Sequence, residues 1–386
     1  MSEPYRMRAA YILPSFPAND ADWCIPVIRN FIEHISHHVE PVVYALHYPY
    51  KLTTYTIRGV TVHCLSERLR RKGGKLPIWF RLNEMVIRDH KQTPYNLIHS
   101  FWGTETGYRG SRVARKLGIP SIVSLAGGEF AEEKRAAYGA KLSFTGRLLV
   151  KSTLNNATAL TTGSDWLAEK IPQQYQQKVR TLPLGLDPAF FTPGNVRSGK
   201  RLLSVASVIP VKNYPTLLRA VALARNDYPD LSLTIAGWNG NVAELSLVEE
   251  LVKSLSLQQV VEILGEVPHE RMPPLYHEHD LLLHSSLYEA QGMAILEALS
   301  TGMPAVATNV GIVPSLPAEV VYSFTPENVE EMARQIVRSL SNGEHAATAY
   351  RRGPEVIRER FDAATVAQGF ANLYQSVQND RAGNGY

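Results

Sequence analysis

The sequence predicts an α/β protein: two doubly wound, Rossmann-like domains whose parallel sheets face each other across a cleft. Three observations carry that expectation. Short apolar, β-branched runs alternate with longer stretches of helical periodicity in both halves of the chain. Between the halves, residues 184–200 carry Pro188, Pro193, Gly194 and Gly199 with few apolar residues after Phe191, the composition of a linker. The length, 386 residues, is roughly two and a half common domains.

In the first half the strand-like runs are 7–13, 41–46, 60–65, 96–101, 120–125, 159–162 and 179–182, with helices expected at 105–117 and 146–155 among others. In the second half the runs are 201–208, 231–236, 260–264, 281–284, 305–308 and 320–324, with helices at 214–226, 242–255 and 293–300. Strands separated by helices of this length read as parallel sheets covered on both faces. After Phe324 the pattern is purely helical, 326–340, 343–359 and 362–378, and the polar, Gly-containing tail 379–386 is expected to fray. The expected division is 1–187 for the first domain and 188–361 for the second. The last helix, about 362–386, is expected to return to the first. In open parallel sheets ligands sit beyond the carboxyl ends of the strands, so the cleft between two such sheets is where substrates should meet.

Composition bounds the function. Hydrophobic residues make up 45% and charged residues 20%, with a mean hydropathy of −0.15, which suits a globular protein with sizeable cores. The net charge of +4 is too small to imply nucleic-acid binding. Cys24 and Cys64 cannot form a disulfide framework or a four-cysteine metal site. No apolar run reaches the ~18 residues of a membrane span, and Met1-Ser-Glu-Pro-Tyr-Arg lacks the layout of a signal peptide. The expectation is a cytoplasmic protein.

The most informative stretch is 281–316, LLLHSSLYEAQGMAILEALSTGMPAVATNVGIVPSL. A strand ends in a polar turn, and Gly292 then opens a helix. Free amides of Gly292, Met293 and Ala294 at a helix start form an anion site, helped by the helix dipole. Glu289 in the turn and Glu297 in the helix are eight apart, so both can face one cleft. Carboxylates accept hydrogen bonds from sugar hydroxyls, and amides suit phosphate; the combination fits a nucleotide sugar. A solvated Glu289 and an ion-paired Glu297 are the blander alternatives.

That stretch resembles the signature of retaining GT-B glycosyltransferases, specifically glycosyltransferase family four. There E-x7-E precedes a small-residue helix, a Gly-x-Pro and a Val/Ala-Thr strand. Glu289, Glu297, Gly302, Pro304, Thr308 and Gly311 all fit. Residues 203–220 (LSVASVIPVKNYPTLLRA), 235–238 (IAGW), 263–267 (ILGEV) and 183–193 (PLGLDPAFFTP) resemble further landmarks of the second domain, and 96–129 has the family's layout in the first.

The resemblance implies that Glu297 binds the nucleotide ribose and that Glu289 meets the donor sugar. It further implies that the amides of 292–294 hold hydroxyls or diphosphate, that Lys212 neutralises the diphosphate, and that the Val267 backbone touches the base. Ser207 stands beside Lys212 on the donor side. A Lys after a strand end is a natural phosphate partner; an exposed, idle Lys212 is the alternative. The reaction so implied is front-face retaining transfer, in which the leaving diphosphate takes the acceptor's proton. Lys212 and the helix start supply the charge stabilisation, no metal is expected, and no cofactor beyond the donor itself.

Three departures from the family stand out. Ser207-Val208 occupies the place of a Gly-Arg pair, which removes one cation from the diphosphate clamp. Residues 15–22 replace a Gly-Gly loop. Ala126 stands where the family usually places a His near the reacting sugar. Gly127-Gly128 keeps a backbone surface for a ligand, and Glu129 is a nearby carboxylate, alternatively a helix-start acid. His99 and Trp102 are acceptor-side candidates, with a buried, hydrogen-bonded His99 as the alternative. Residues 66–91 hold eight Lys/Arg against three acids, together with Trp79 and Phe80. They are read as a peripheral contact with the inner face of a membrane, or with an anionic acceptor, against a plain solvated face. The functional expectation is a metal-independent glycosyltransferase. A sugar-nucleotide-binding protein without transfer and a sugar-nucleotide epimerase of the same fold remain open.

Overall fold

The structure, a computed structural model, describes residues 6–66, 76–196 and 199–383. The chain runs β1 (Arg8–Ser15), α1 (Pro26–Ile35), β2 (Glu40–Tyr48), β3 (Thr53–Ile57), β4 (Val60–Cys64), α2 (Leu76–Gln92), β5 (Leu97–Phe101), α3 (Glu105–Leu117), β6 (Ser121–Leu125), α4 (Phe144–Asn156), β7 (Ala159–Thr162), α5 (Asp165–Ala168) and β8 (Val179–Thr181). It continues through β9 (Arg201–Val205), α6 (Tyr214–Ala224), β10 (Ser232–Ala236), α7 (Val242–Ser254), β11 (Val261–Gly265), α8 (Met272–His277), β12 (Leu281–His284), α9 (Met293–Ser300), β13 (Ala305–Thr308), β14 (Val321–Phe324), α10 (Val329–Ser341), α11 (Gly343–Arg360) and α12 (Ala363–Gly383).

Two sheets result. The first, in the order β3-β4-β2-β1-β5-β6-β7-β8, is parallel apart from the antiparallel β3–β4 hairpin. The second, β11-β10-β9-β12-β13-β14, is parallel throughout. Interior strands such as β1, β5, β6 and β12 are almost wholly buried, as expected when helices cover both faces. In both sheets the order reverses beside the first strand, which is where such folds open a ligand crevice.

Helix α1 shows how the sequence writes this packing. Pro26 pre-sets its first turn, and Ile28, Phe31, Ile32 and Ile35 form one buried stripe at helical spacing. That stripe meets α12, whose Val366, Phe370 and Tyr374 belong to the same core as Tyr11 and Phe31. The last helix thus packs on the first domain, anchored where Leu186 bridges Asp362.

Several local expectations shift. The run expected at 201–208 ends as a regular strand at Val205, although Ala206 and Val208 still donate to the carbonyls of Ala236 and Trp238, and the Val208 side chain enters the core beside α6. The tail expected to fray from residue 379 is helical through Gly383. Of the basic stretch 66–91, residues 67–75 lie outside the described residues. The rest is α2, which buries Leu82 and Val86 and leaves Phe80 exposed.

Candidate active site

The carboxyl ends of the two sheets enclose a cleft of about 510 Å³. The first sheet contributes Trp102 after β5, the chain from Ser124 to Gly127 at the end of β6, and Thr161 to Gly163 after β7. The second contributes Ser207, Lys212, His284, the segment Glu289–Ala294, and Glu297. A neighbouring lobe of about 720 Å³ shares Val205, Ser207 and Glu297 with it and is lined further by Trp238, Val267, His269 and Trp23. The expected donor residues therefore converge: Ser207, Lys212, Glu289, Gly292, Met293, Ala294 and Glu297 on the main cleft, Val267 on the adjoining lobe.

Glu289 is the most heavily engaged of them. Its Oε1 lies 2.5 Å from Lys212 Nζ and accepts from Ser286 Oγ at 2.7 Å and from His284 Nε2 at 3.0 Å. Burial works to raise its pKa, but Lys212 and His284 outweigh burial and hold the carboxyl well below its usual value. Among the described residues nothing bonds Oε2, so one carboxylate oxygen faces the cleft unengaged. Lys212 sits in a short 3-10 turn, Pro210–Lys212, before α6. Ser285 pins that turn to the end of β12 by donating to the Lys212 carbonyl at 2.8 Å.

Gly292 caps α9 with φ +110°, a left-handed conformation that a side chain would strain. One turn on, Glu297 accepts from Tyr276 Oη at 2.7 Å. Burial raises the Glu297 pKa, and the Tyr276 bond pulls only partly against it. The two glutamates thus share a wall but are tuned in opposite directions.

On the first-domain side, Trp102, Ala126 and Gly127 line the cleft. Gly127 lies against Trp102, whose ring a Cβ at 127 would meet at 2.8 Å, and Gly128 turns to Tyr138 instead. Glu129 is buried behind this wall, accepting from the amides of Gly103 at 2.8 Å and Gly127 at 2.9 Å. It ties two loops together. His99 does not reach the cleft. It is fully buried between Phe101 and Phe370, bonded to Tyr374 Oη at 2.7 Å and Ser124 Oγ at 2.8 Å, and burial pushes its pKa down to about 3. The acceptor-side placement of His99 is therefore corrected: β5 alternates its side chains, and His99 faces α12.

Several cleft residues were not anticipated. His284 and Ser286 bracket Glu289; Tyr276 holds Glu297. Gln291 donates to the Leu184 carbonyl at 2.7 Å and accepts from the Leu184 amide at 2.9 Å, and Ser164 donates to the Ala290 carbonyl at 2.8 Å. These bonds lock the 289–291 turn to the first domain. Tyr288 adds edge contact with Trp166, ring centroids 5.0 Å apart.

The sequence has one Asp-x-Asp, Asp20-Ala21-Asp22, in the loop before α1. Asp22 is engaged by the Ala18 amide and Tyr48 Oη, both at 2.7 Å, and Asp20 by Arg58 at 3.3 Å. Among the described residues no group of three His, Cys, Asp or Glu is placed to hold a metal ion.

Two doubly wound sheets facing across a cleft, with a lysine, two carboxylates and a helix start on one wall, make up the GT-B fold. The chain belongs to the glycosyl transferases group 1: residues 189–356 match that family, and residues 26–185 match the glycosyl transferase 4-like domain. Over 168 residues, 42% of this chain and 37% of the relative, it is 33% identical to a phosphatidylinositol N-acetylglucosaminyltransferase subunit of Arabidopsis thaliana. Over 155 residues, 39% of each chain, it is 30% identical to O-antigen chain mannosyltransferase B of Escherichia coli. The matched region thus spans less than half the length of these curated relatives.

Among solved structures, sucrose-phosphate synthase from Thermosynechococcus elongatus superposes with a TM-score of 0.77 at 16% identity, covering 96% of this chain and 99% of that one. Anabaena HepE, in complex with UDP and glucose, gives 0.76 at 16% over 96% and 100%. At such identity the likeness is one of fold.

Proposed function

We propose that the protein transfers a sugar, with retention of anomeric configuration and without a metal ion, from a nucleotide-sugar donor on the second domain to an acceptor hydroxyl presented from the first. The observation that carries this reading is the Lys212–Glu289 pair set beside the Gly292 helix start on the cleft wall. The nucleoside goes to the lobe of Val267 and Trp238, with Glu297 accepting from ribose hydroxyls. The diphosphate then lies against Lys212 and the amides that open α9. The acceptor oxygen attacks the anomeric carbon on the face that the diphosphate leaves. One C–O bond forms, the other breaks, and the acceptor's proton passes to the departing phosphate oxygen.

What the protein supplies is position and positive charge. Glu289 keeps Lys212 aimed into the cleft until the diphosphate offers it a second anionic partner, and its free Oε2 can accept from a donor-sugar hydroxyl. The group missing at Ala126 is not needed as a base in this scheme.

A thermal-shift series with UDP, GDP and ADP and their sugars identifies the donor class by the lowest stabilising concentration. Proton NMR of the product made from that donor then reads the anomeric configuration. An inverted anomer, or a rate abolished by EDTA and restored by Mg²⁺, overturns the proposal. A second reading, nucleotide-sugar binding without transfer, is favoured by Ala126 on the cleft wall and by Val208, which is buried where relatives carry an Arg. Donor binding with no turnover on any acceptor, and the same in Glu289→Ala, supports that reading.

A further inference from the structure

A surface of the first domain remains unexplained by the chemistry of the cleft. Helix α4 buries Val150, Thr153 and Leu154, but its opening turns project outward. Phe144 is 68% exposed and Leu148 50%, and Leu142, just before the helix, is exposed too. Phe144 and Leu148 are four apart and so share a helix face. From residue 134 to 164 the charges beside them along the chain are of one sign. Between residues 134 and 164 the chain carries Lys134, Arg135, Lys141, Arg147 and Lys151 and no acid. All five cations are exposed, and among the described residues only Arg135 has an acidic partner, Glu327.

We propose that this face, the first turns of α4 with the chain leading into it, docks on an anionic lipid bilayer. Large apolar side chains projecting among Lys and Arg match what an interfacial membrane contact requires: apolar tips enter the acyl boundary while the cations meet anionic headgroups. A protein partner is the poorer fit, since protein interfaces are depleted in Lys and bury their apolar centre behind a rim of mixed charge. The surface also lies close to the cleft along the chain. Tyr138 lines the cleft, and Phe144 follows six residues later along the same loop. A bilayer seated on α4 therefore brings a membrane-held acceptor to the first-domain wall. The inference stands whether or not the cleft transfers sugar.

The test uses the full-length chain and vesicles of phosphatidylcholine, alone or with part replaced by phosphatidylglycerol. The wild type is expected to co-sediment with the anionic vesicles, less so as salt rises, and not with phosphatidylcholine alone. The double variant Phe144→Glu/Leu148→Glu is expected to lose at least ~10-fold in binding, from both lost insertion and added repulsion. Both positions are exposed, so its thermal midpoint and nucleotide-induced shift should match the wild type. Phe80→Glu, on α2, should bind as the wild type does. Absence of wild-type binding, equal binding by the double variant, or loss in Phe80→Glu alone overturns the proposal. So does self-association that the double variant abolishes while lipid binding is absent.

Discussion

Lys212 and Glu289 are each other's partner before any substrate arrives, at 2.5 Å, so a substitution at either acts on both. Replacing Lys212 by Ala removes the charge that meets the leaving diphosphate. By analogy with removal of other positioned charge-stabilising groups, kcat should fall about 10²–10³-fold. Lys212→Arg should recover part of that loss, which a purely structural role would not predict. The pair has a stability signature too. The Glu289 carboxyl is held below its ordinary value, so its contribution is present above about pH 4.5 and is lost only as pH falls through the lowered pKa. Glu297 behaves oppositely. Burial raises its pKa, and only its ionised form accepts fully from ribose hydroxyls. The donor KM should therefore fall as pH rises through a midpoint above 4.5, and Glu297→Gln should abolish that limb while raising KM about 10-fold or more. Steady-state kinetics between pH 5 and 8, about the range in which protein stability is greatest, check both claims. That both glutamates face one cleft was legible from their spacing, with one in the turn and one in the helix, while the roles expected of them came from the family resemblance. Their partners were not. Nothing local says that His284 and Ser286 converge on Oε1, or that Tyr276, from another helix, reaches Glu297.

Helix α9 shows how an element carries the site. It opens on Gly292 at φ +110°, and the one tight contact of a Cβ there would be the movable tip of Ile295 at 3.3 Å, which can give by a few tenths of an ångström. The expected cost of Gly292→Ala is therefore backbone strain, about 1–2 kcal/mol, rather than a clash. Relief of that strain would turn the first amides of α9 away from the diphosphate. The variant should show a lower thermal midpoint and a weakened nucleotide-induced shift; an unchanged shift would mean the helix start does not hold the phosphates. Elements of this kind were readable because Gly, apolar period and strand run agree. Helices α3 and α9 begin and end where the periodicity places them. Strand β3 was missed because Thr53–Ile57 has one buried residue and its polar face mimics a loop, whereas its hairpin partner β4 falls on the expected run 60–65. The course of β9 was overrun because residues 206–208 keep backbone bonds to the β10 side without strand geometry, and the apolar Val208 is buried in the core beside α6.

At the scale of the whole molecule the two domains are clasped on both sides of the cleft. On one side are the Gln291–Leu184 and Ser164–Ala290 bonds and the Tyr288–Trp166 contact. On the other, Trp23, directly after the loop 15–22, reaches across to the second domain. Its ring lies 4.3 Å from His269 and 6.3 Å from Phe190, and its Nε1 donates to Glu270. Arg29, buried in α1, lies 3.9 Å from the ring and holds the Asp20 and Asp22 carbonyls, which makes the loop rigid. Burial lowers His269 to about 4, so the stack involves a neutral ring at neutral pH. Trp23 also walls the lobe assigned to the nucleoside. Trp23 thereby ties the end of this loop to the opposite domain. Aromatic pairs contribute about 0.5–1.5 kcal/mol beyond buried area, enough to shift an open–closed balance several-fold. Trp23→Ala should widen the cleft, seen as a larger radius of gyration by small-angle scattering, and raise the donor KM several-fold while leaving kcat at saturation nearly unchanged. Trp23→Phe, which keeps the stack but loses the bond to Glu270, should fall between. A Trp23→Ala chain with unaltered scattering and KM would show that the bonds at Gln291 and Ser164 suffice to hold the cleft.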